Sequence, residues 1–172
     1  LHFHPLVQQL AALRLPDGDE RASTARAHAL YFHRLLAQLR RPAENGDAHA
    51  LAQIDAEFEN CRIAWRWYIL HAAVDALAGS APTLFHFCDH RSRFEEGLTL
   101  LGEARASAAA RERPALAAML AGALAHLEYR LDRYTAAEAG AREALALAQA
   151  AGDHHAMALC LQVQGSCALR LG

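Results

Sequence analysis

The chain contains no lysine. All 17 of its basic residues are arginine, against 19 acidic ones, for a formal net charge of −2. An arginine-only set of cations fits the codon bias of a GC-rich gene and carries no function with it. The near-neutral balance excludes a global field that would draw the chain to nucleic acid. Strand-favouring Val, Ile and Thr are scarce. The four cysteines, Cys61, Cys88, Cys160 and Cys167, form no CxxC pair. A chain of 172 residues with 53% hydrophobic content needs no covalent staples, so reduced, buried thiols are expected. No run of about 18 apolar residues appears, and there is no basic-then-apolar leader, so a membrane span and a secretory signal are not expected. Together with the thiols this points to a cytoplasmic protein. GxSxG, HExxH and GxxxxGK[ST] are also missing. Hydrolysis by a serine elbow, zinc proteolysis and nucleotide hydrolysis by these residues alone therefore have no carrier, and no cofactor is implied.

What is abundant is Ala and Leu, which favours an all-α protein. "HPLVQQLAALRL" opens a short helical pattern with Pro5 in its first turn, and "PDGD" from Pro16 to Asp19 reads as a turn. A helix is expected over about 20–41, with Ala25, Ala29, Phe32, Leu36 and Leu39 on one stripe, ended by "RPAENGD". The next is expected over about 48–73, where Leu51, Ile54, Phe58, Cys61, Trp65 and Tyr68 recur at spacings of three and four. Trp65 joins this buried face; Trp67, two residues on, cannot share it. Five more helices fit the remainder, separated by "GSAP", "HRSR", "ARERP", "RLDR" and "AAGDH".

Sliding the chain on itself by about 40 residues superposes Arg93-Phe94 on Arg133-Tyr134, Gly97 on Ala137, Ala104 on Ala144 and Ala108 on Ala148. Ala125 falls on Gly165. Such a period is the mark of stacked helical hairpins, in which small residues let paired helices approach closely.

The spacing resembles the tetratricopeptide repeat. Ala125, Tyr134, Ala137 and Ala144 fit its pattern of a small residue, an aromatic nine residues on and two later alanines, and Phe85, Phe94, Gly97 and Ala104 follow suit. Glu128 departs from it, standing where a large aromatic is usual, and the period is longer than the common one. The first half adds a wider resemblance, to bacterial STAND-type signalling ATPases and transcriptional regulators. "FHPLVQQLAALRL" from Phe3 to Leu15 is similar to the last winged-helix element of that family, and "YFHRLLAQL" from Tyr31 to Leu39 to the helix that follows. In "DAEFENCRIAWRWYI", Glu57, Asn60, Ala64 and Trp67 match its Glu-x-x-Asn-x-x-x-Ala-x-x-Trp helix. The resemblance implies a sensor and scaffold arm for a regulator whose ATPase lies elsewhere, with residues 1–16 ending a winged helix, 17–73 forming linker helices and 74–172 the repeats. It also makes His4 the match of a family histidine that contacts nucleotide only in a full-length protein.

In the repeat register, the inward positions of each first helix lie one, four and five residues after the small residue. These are His86, Asp89 and His90, then His126, Tyr129 and Arg130, then Ser166, Leu169 and Arg170. Those spacings share one helical face. A wall of His and Arg suits an acidic peptide or a small anionic inducer; a solvated face is the plainer alternative. His86 and His90 at i, i+4, with Asp89 or His126 as a third ligand, also have metal-site spacing, although chance pairing is readily expected among 11 histidines. His154-His155 reads as a loop and first helical turn, and Glu95-Glu96 as carboxylates favoured at a helix start.

The expected fold is an all-α, right-handed superhelix of about seven helices. Its expected function is a non-enzymatic module that binds a partner protein or small inducer. It touches no nucleic acid directly and no membrane. A free-standing adaptor that mediates homo-oligomers is the second reading, and a small metal-dependent enzyme using His86 and His90 the third.

Overall fold

The computed structural model describes residues 18–172 and is all-helical over them. His4, the winged-helix segment over 1–16 and the first predicted helix lie outside the described residues. Nine helices are present: α1 (Asp19–Glu44), α2 (Ala48–Ala56), α3 (Phe58–Leu70), α4 (Val74–His90), α5 (Phe94–Ala106), α6 (Ala108–Glu112), α7 (Pro114–Arg130), α8 (Tyr134–Ala151) and α9 (His154–Leu171).

Several boundaries differ from expectation. The helix predicted over about 48–73 is two helices. At Glu57 the backbone turns to φ −110°, ψ 12°, and its carboxylate accepts a hydrogen bond from Asn60 at 2.7 Å. α1 runs through Pro42, because the break falls at Asn45-Gly46, where Gly46 has φ +71°. "GSAP" separates nothing: it lies inside α4 with Pro82 in mid-helix. Pro82 has no N–H to give the carbonyl of Ala78, yet burial of the helix on both sides of it overrides that loss. Ala25, predicted on the buried stripe of α1, is exposed.

Most helices end the same way. Ala72, Ser92 and Asp132 adopt left-handed backbone (φ +46°, +55° and +59°), as does Gly152 at +66°. After each, the next N–H reaches back five residues: Ala73 to Tyr68 O, Arg93 to Cys88 O, Arg133 to Glu128 O and Asp153 to Ala148 O, at 2.8–3.0 Å. This satisfies carbonyls that a helix end would otherwise leave unpaired. The chain therefore reverses in three residues between α3 and α4, α4 and α5, and α7 and α8, and each following helix folds back on its predecessor or a neighbour.

Across these hairpins, alternate helices run parallel. On one side, the His33 Nδ1 and Ser80 Oγ atoms lie 3.2 Å apart, Thr83 Oγ1 donates to Leu36 O at 2.9 Å, and His90 Nε2 lies 3.4 Å from Glu44 O, so α1 and α4 advance together. Asp89 of α4 meets His126 and Arg130 of α7. On the other side, Trp65 Nε1 donates to Leu100 O at 2.8 Å, Arg105 pairs with Glu143 at 2.5 Å, and Arg133 pairs with Glu95. The pair Asp55–Arg93 recurs 40 residues later as Glu95–Arg133, so the register reaches back beyond Val74 into α2 and α3.

The core changes character along the chain. One large cluster joins α1 to α7 around Phe32, Ile54, Phe58, Trp65, Tyr68, Leu84 and Phe87. Its buried polar atoms are used across helices; Tyr68 donates to Ala29 O at 2.7 Å. Between α7, α8 and α9 the packing is a seam of Ala, Val and Cys: Ala118 with Ala148 and Ala156, Ala121 with Ala144 and Cys160, Ala125 with Ala137, Ala141, Val163 and Cys167. All four thiols are free and buried, and burial pushes those of Cys61 and Cys88 up to about 12.

Two substitutions probe this frame. A Cβ on Gly97 would lie 2.7 Å from Leu127 Cδ1 and 3.0 Å from Cys88 Cβ. Gly97→Ala should therefore destabilise the protein by about 1–2 kcal/mol, overpacking outweighing the gain in helix propensity. Ala72→Gly should stabilise it by about 0.5–1 kcal/mol, since glycine relieves the left-handed strain at an exposed site. Urea denaturation of each variant checks both.

Candidate functional site

The side of the molecule built from α1, α4, α7 and α9 gathers most of the polar residues predicted to face inward. Asp89, half-buried near the end of α4, accepts a hydrogen bond from His126 Nε2 at 3.3 Å and another from Arg130, both on α7. Arg130 also lies over the Phe94 ring at 4.7 Å. Burial alone would raise the Asp89 pKa. The hydrogen bond from His126 and the charges of His126, Arg130 and His90 outweigh it and hold the carboxyl below its usual value. Asp89 is thus the node that ties one hairpin to the next.

The other predicted residues do separate things. His90 is exposed and leans over the end of α1, where its ring limits the space beside Gly46 to 3.2 Å. Tyr129 packs against Tyr134 with ring centres 5.6 Å apart and joins the α8–α9 cluster. Arg170 lies beside both tyrosines, whose proximity raises its pKa, first through Tyr129. Ser166 is half-buried on α9, and Leu169 is 88% exposed. The rings of His86 and His90 stack with centres 6.5 Å apart. Among the described residues, no three His, Cys, Asp or Glu side chains converge on a point where a metal ion could be held.

His86 alone of the predicted set enters a cavity. It is a recess of about 250 Å³ between α1, α4, α7 and α9, lined by Arg40, Pro82, Phe85, His86, Met119 and His155, with Arg113, Asp153 and Leu159 completing its wall. Burial lowers the His86 pKa, and the like charges of His90 and His155 lower it further, against the opposing pull of Glu44 and Asp89. Its ring is therefore neutral at pH 7. Sequence reasoning missed Arg40, Arg113, Asp153 and His155. One signal was present: Arg113 and Asp153 are 40 residues apart and are the residues that precede α7 and α9, with Asp153 capping α9 through Ala156 N–H at 3.0 Å.

No protein-family model, no curated protein and no solved structure matches the chain.

Asp89→Asn should lower stability at pH 7 by about 1–2 kcal/mol, since it replaces an ionised acceptor by an amide facing two donors. The pH dependence has a defined sign. A carboxyl held below its ordinary 3.8 stabilises the fold above that value and loses the effect as pH falls through its folded pKa. A histidine held below 6.5 likewise favours the fold at high pH, and that contribution fades as pH drops under 6.5. The melting temperature should therefore decline from pH 7 toward pH 5, and His86→Gln should flatten that slope, as calorimetry at stepped pH would show.

Proposed function

We propose that the chain is a non-enzymatic binding scaffold: a tetratricopeptide-like, right-handed array whose first helices present a partner-recognition wall. The observation that carries this reading is the parallel recurrence of α1, α4 and α7 with polar side chains at matched positions. A solenoid of hairpins needs that register, because each hairpin buries its apolar face only against its neighbours. The wall offers His90, Arg130 and Arg170 to solvent, and such cations suit carboxylates on a protein segment or an inducer. The resemblance of Glu57, Asn60, Ala64 and Trp67 to the helix of STAND-type regulators supports a place as the sensor arm of such a regulator. Two packed neighbours support that much of the match: Glu57 and Asn60 are hydrogen-bonded to each other, and Ala64 is fully buried.

A second reading is a free-standing adaptor that assembles copies of itself. It is favoured by the apolar surface on α9, where Leu161 is 53% and Leu171 50% exposed. Sedimentation over a hundredfold concentration range separates the two, since only the adaptor should gain mass.

His126 and Arg130 anchor Asp89, so truncating them perturbs the fold as well as the wall. His90→Ala and Arg170→Ala are cleaner. An array of peptides ending in Asp and Glu should yield binders that the double variant holds at least about fivefold more weakly, with unchanged helicity. Equal affinity would reject the wall as the binding surface. The regulator setting is checked by the reading frame upstream: a GxxxxGK[ST] segment there supports it, and a frame without one removes it.

A further inference from the structure

We propose that the recess between α1, α4, α7 and α9 is a binding site for a compact amphipathic carboxylate, an aryl- or branched-alkyl acid carrying a single negative charge. The proposal rests on the reading of the chain as a binding module and names a ligand class for one part of it.

The geometry sets the size. A cavity of about 250 Å³ has room for roughly eight waters at about 30 Å³ each. It lies below the range of about 300–1,000 Å³ typical of drug-sized ligands. A folded peptide or a nucleotide is too large; a molecule of roughly a dozen non-hydrogen atoms fits. The wall sets the chemistry. Phe85, Met119 and Leu159 supply an apolar lining, and Phe85 and Leu116 are almost fully buried, so this surface is fixed by the core. Pro82 stands at the same wall, where its missing N–H leaves the carbonyl of Ala78 without its helical donor.

Charge sets the polarity. Arg40 makes no ion pair among the described residues. Arg113 is shared with Asp75 at 2.8 Å, and Asp153 is engaged as the cap of α9. With His86 neutral, Arg40 and Arg113 against Asp153 leave a net single positive charge. One carboxylate balances it; a phosphate dianion would leave an excess in a recess that is largely apolar. Arg40 presents a planar fork suited to a carboxylate, and His86 has one ring N–H to donate and gains a proton more readily once an anion sits beside it.

The chain has two methionines, and this makes the test direct. Met119 lines the cavity, while Met157 packs against the alanine seam. In a sample of the whole chain labelled at the methionine methyls, Met157→Leu assigns the two signals. Titration with 3-phenylpropionate should move the Met119 signal saturably and leave Met157 in place. The neutral 3-phenylpropanamide should bind at least about tenfold more weakly, and Arg40→Gln should weaken the acid to a similar degree with the melting temperature unchanged. Calorimetry in buffers of different ionisation heat should show proton uptake on binding, abolished by His86→Gln. Equal binding of acid and amide would overturn the proposal by reducing the recess to an apolar crevice. Inorganic phosphate moving the Met119 signal as strongly as the acid would overturn it by making the apolar lining irrelevant, and so would a Met119 signal that does not respond. In each of these cases the peptide experiment still reports on the wall: peptide binding that persists leaves the scaffold reading standing while the cavity assignment falls.

Discussion

Everything in this molecule depends on the chain being able to reverse direction in three residues. A helix ends with four carbonyls unpaired, and the left-handed residue that closes each end satisfies some of them while turning the backbone through the corner. At Ala72, Ser92 and Asp132 a non-glycine residue accepts that conformation, so the packing gained beyond the corner exceeds the local strain. The reversals at Ala72 and Ser92 are 20 residues apart, as are those at Asp132 and Gly152, and the 40-residue period is two such steps. Where the step is interrupted, between Ala106 and Pro114, the short α6 and an extended Arg113 fill the gap.

Much of the fold was legible because burial leaves a periodic trace. The 3–4 spacing of Leu51 to Tyr68 marked a buried face, and every one of those residues is buried. The small residues Gly97, Ala104, Ala137 and Ala144 marked close helix contacts, and all four are buried. The failures have local causes. Pro82 and Pro42 read as breakers, but tertiary packing retains the helix on both sides of each. Glu57 looks like any helical residue, and only its bond to Asn60 shows why the helix breaks there. The site was half legible. Periodicity placed Asp89, His126 and Arg130 on facing helices, since parallel helices bring matched positions together. It could not reveal Arg40, Arg113, Asp153 and His155, which come from three different helix ends and meet only in space.

The polar residues fall into two groups that do different work. Asp89 spends its charge on α7 and joins the hairpins. Around His86 the groups are less completely paired, and an apolar lining lies beneath them. Groups already satisfied by one another hold a fold; groups left partly unsatisfied next to a void are available to something else. No helix of the described residues is long and apolar enough to cross a membrane, so the apolar surface on α9 is not a spanning segment.

The alanine seam has a consequence for motion. A buried methyl contributes about 0.8 kcal/mol, against roughly 1.5–3 for a large side chain. The contacts of α8 and α9 through Ala137, Ala141, Ala144 and Ala148 are therefore close but individually weak, whereas α1, α3 and α4 share the aromatic cluster. Cooperativity is graded along the array: α8 and α9 form a separate opening unit of low free energy, and α3 and α4 exchange their amide hydrogens only on global unfolding. The cavity straddles that boundary. A molecule seated there would clamp the soft end of the array to the firm one, and would raise the protection of α9 without moving a single helix.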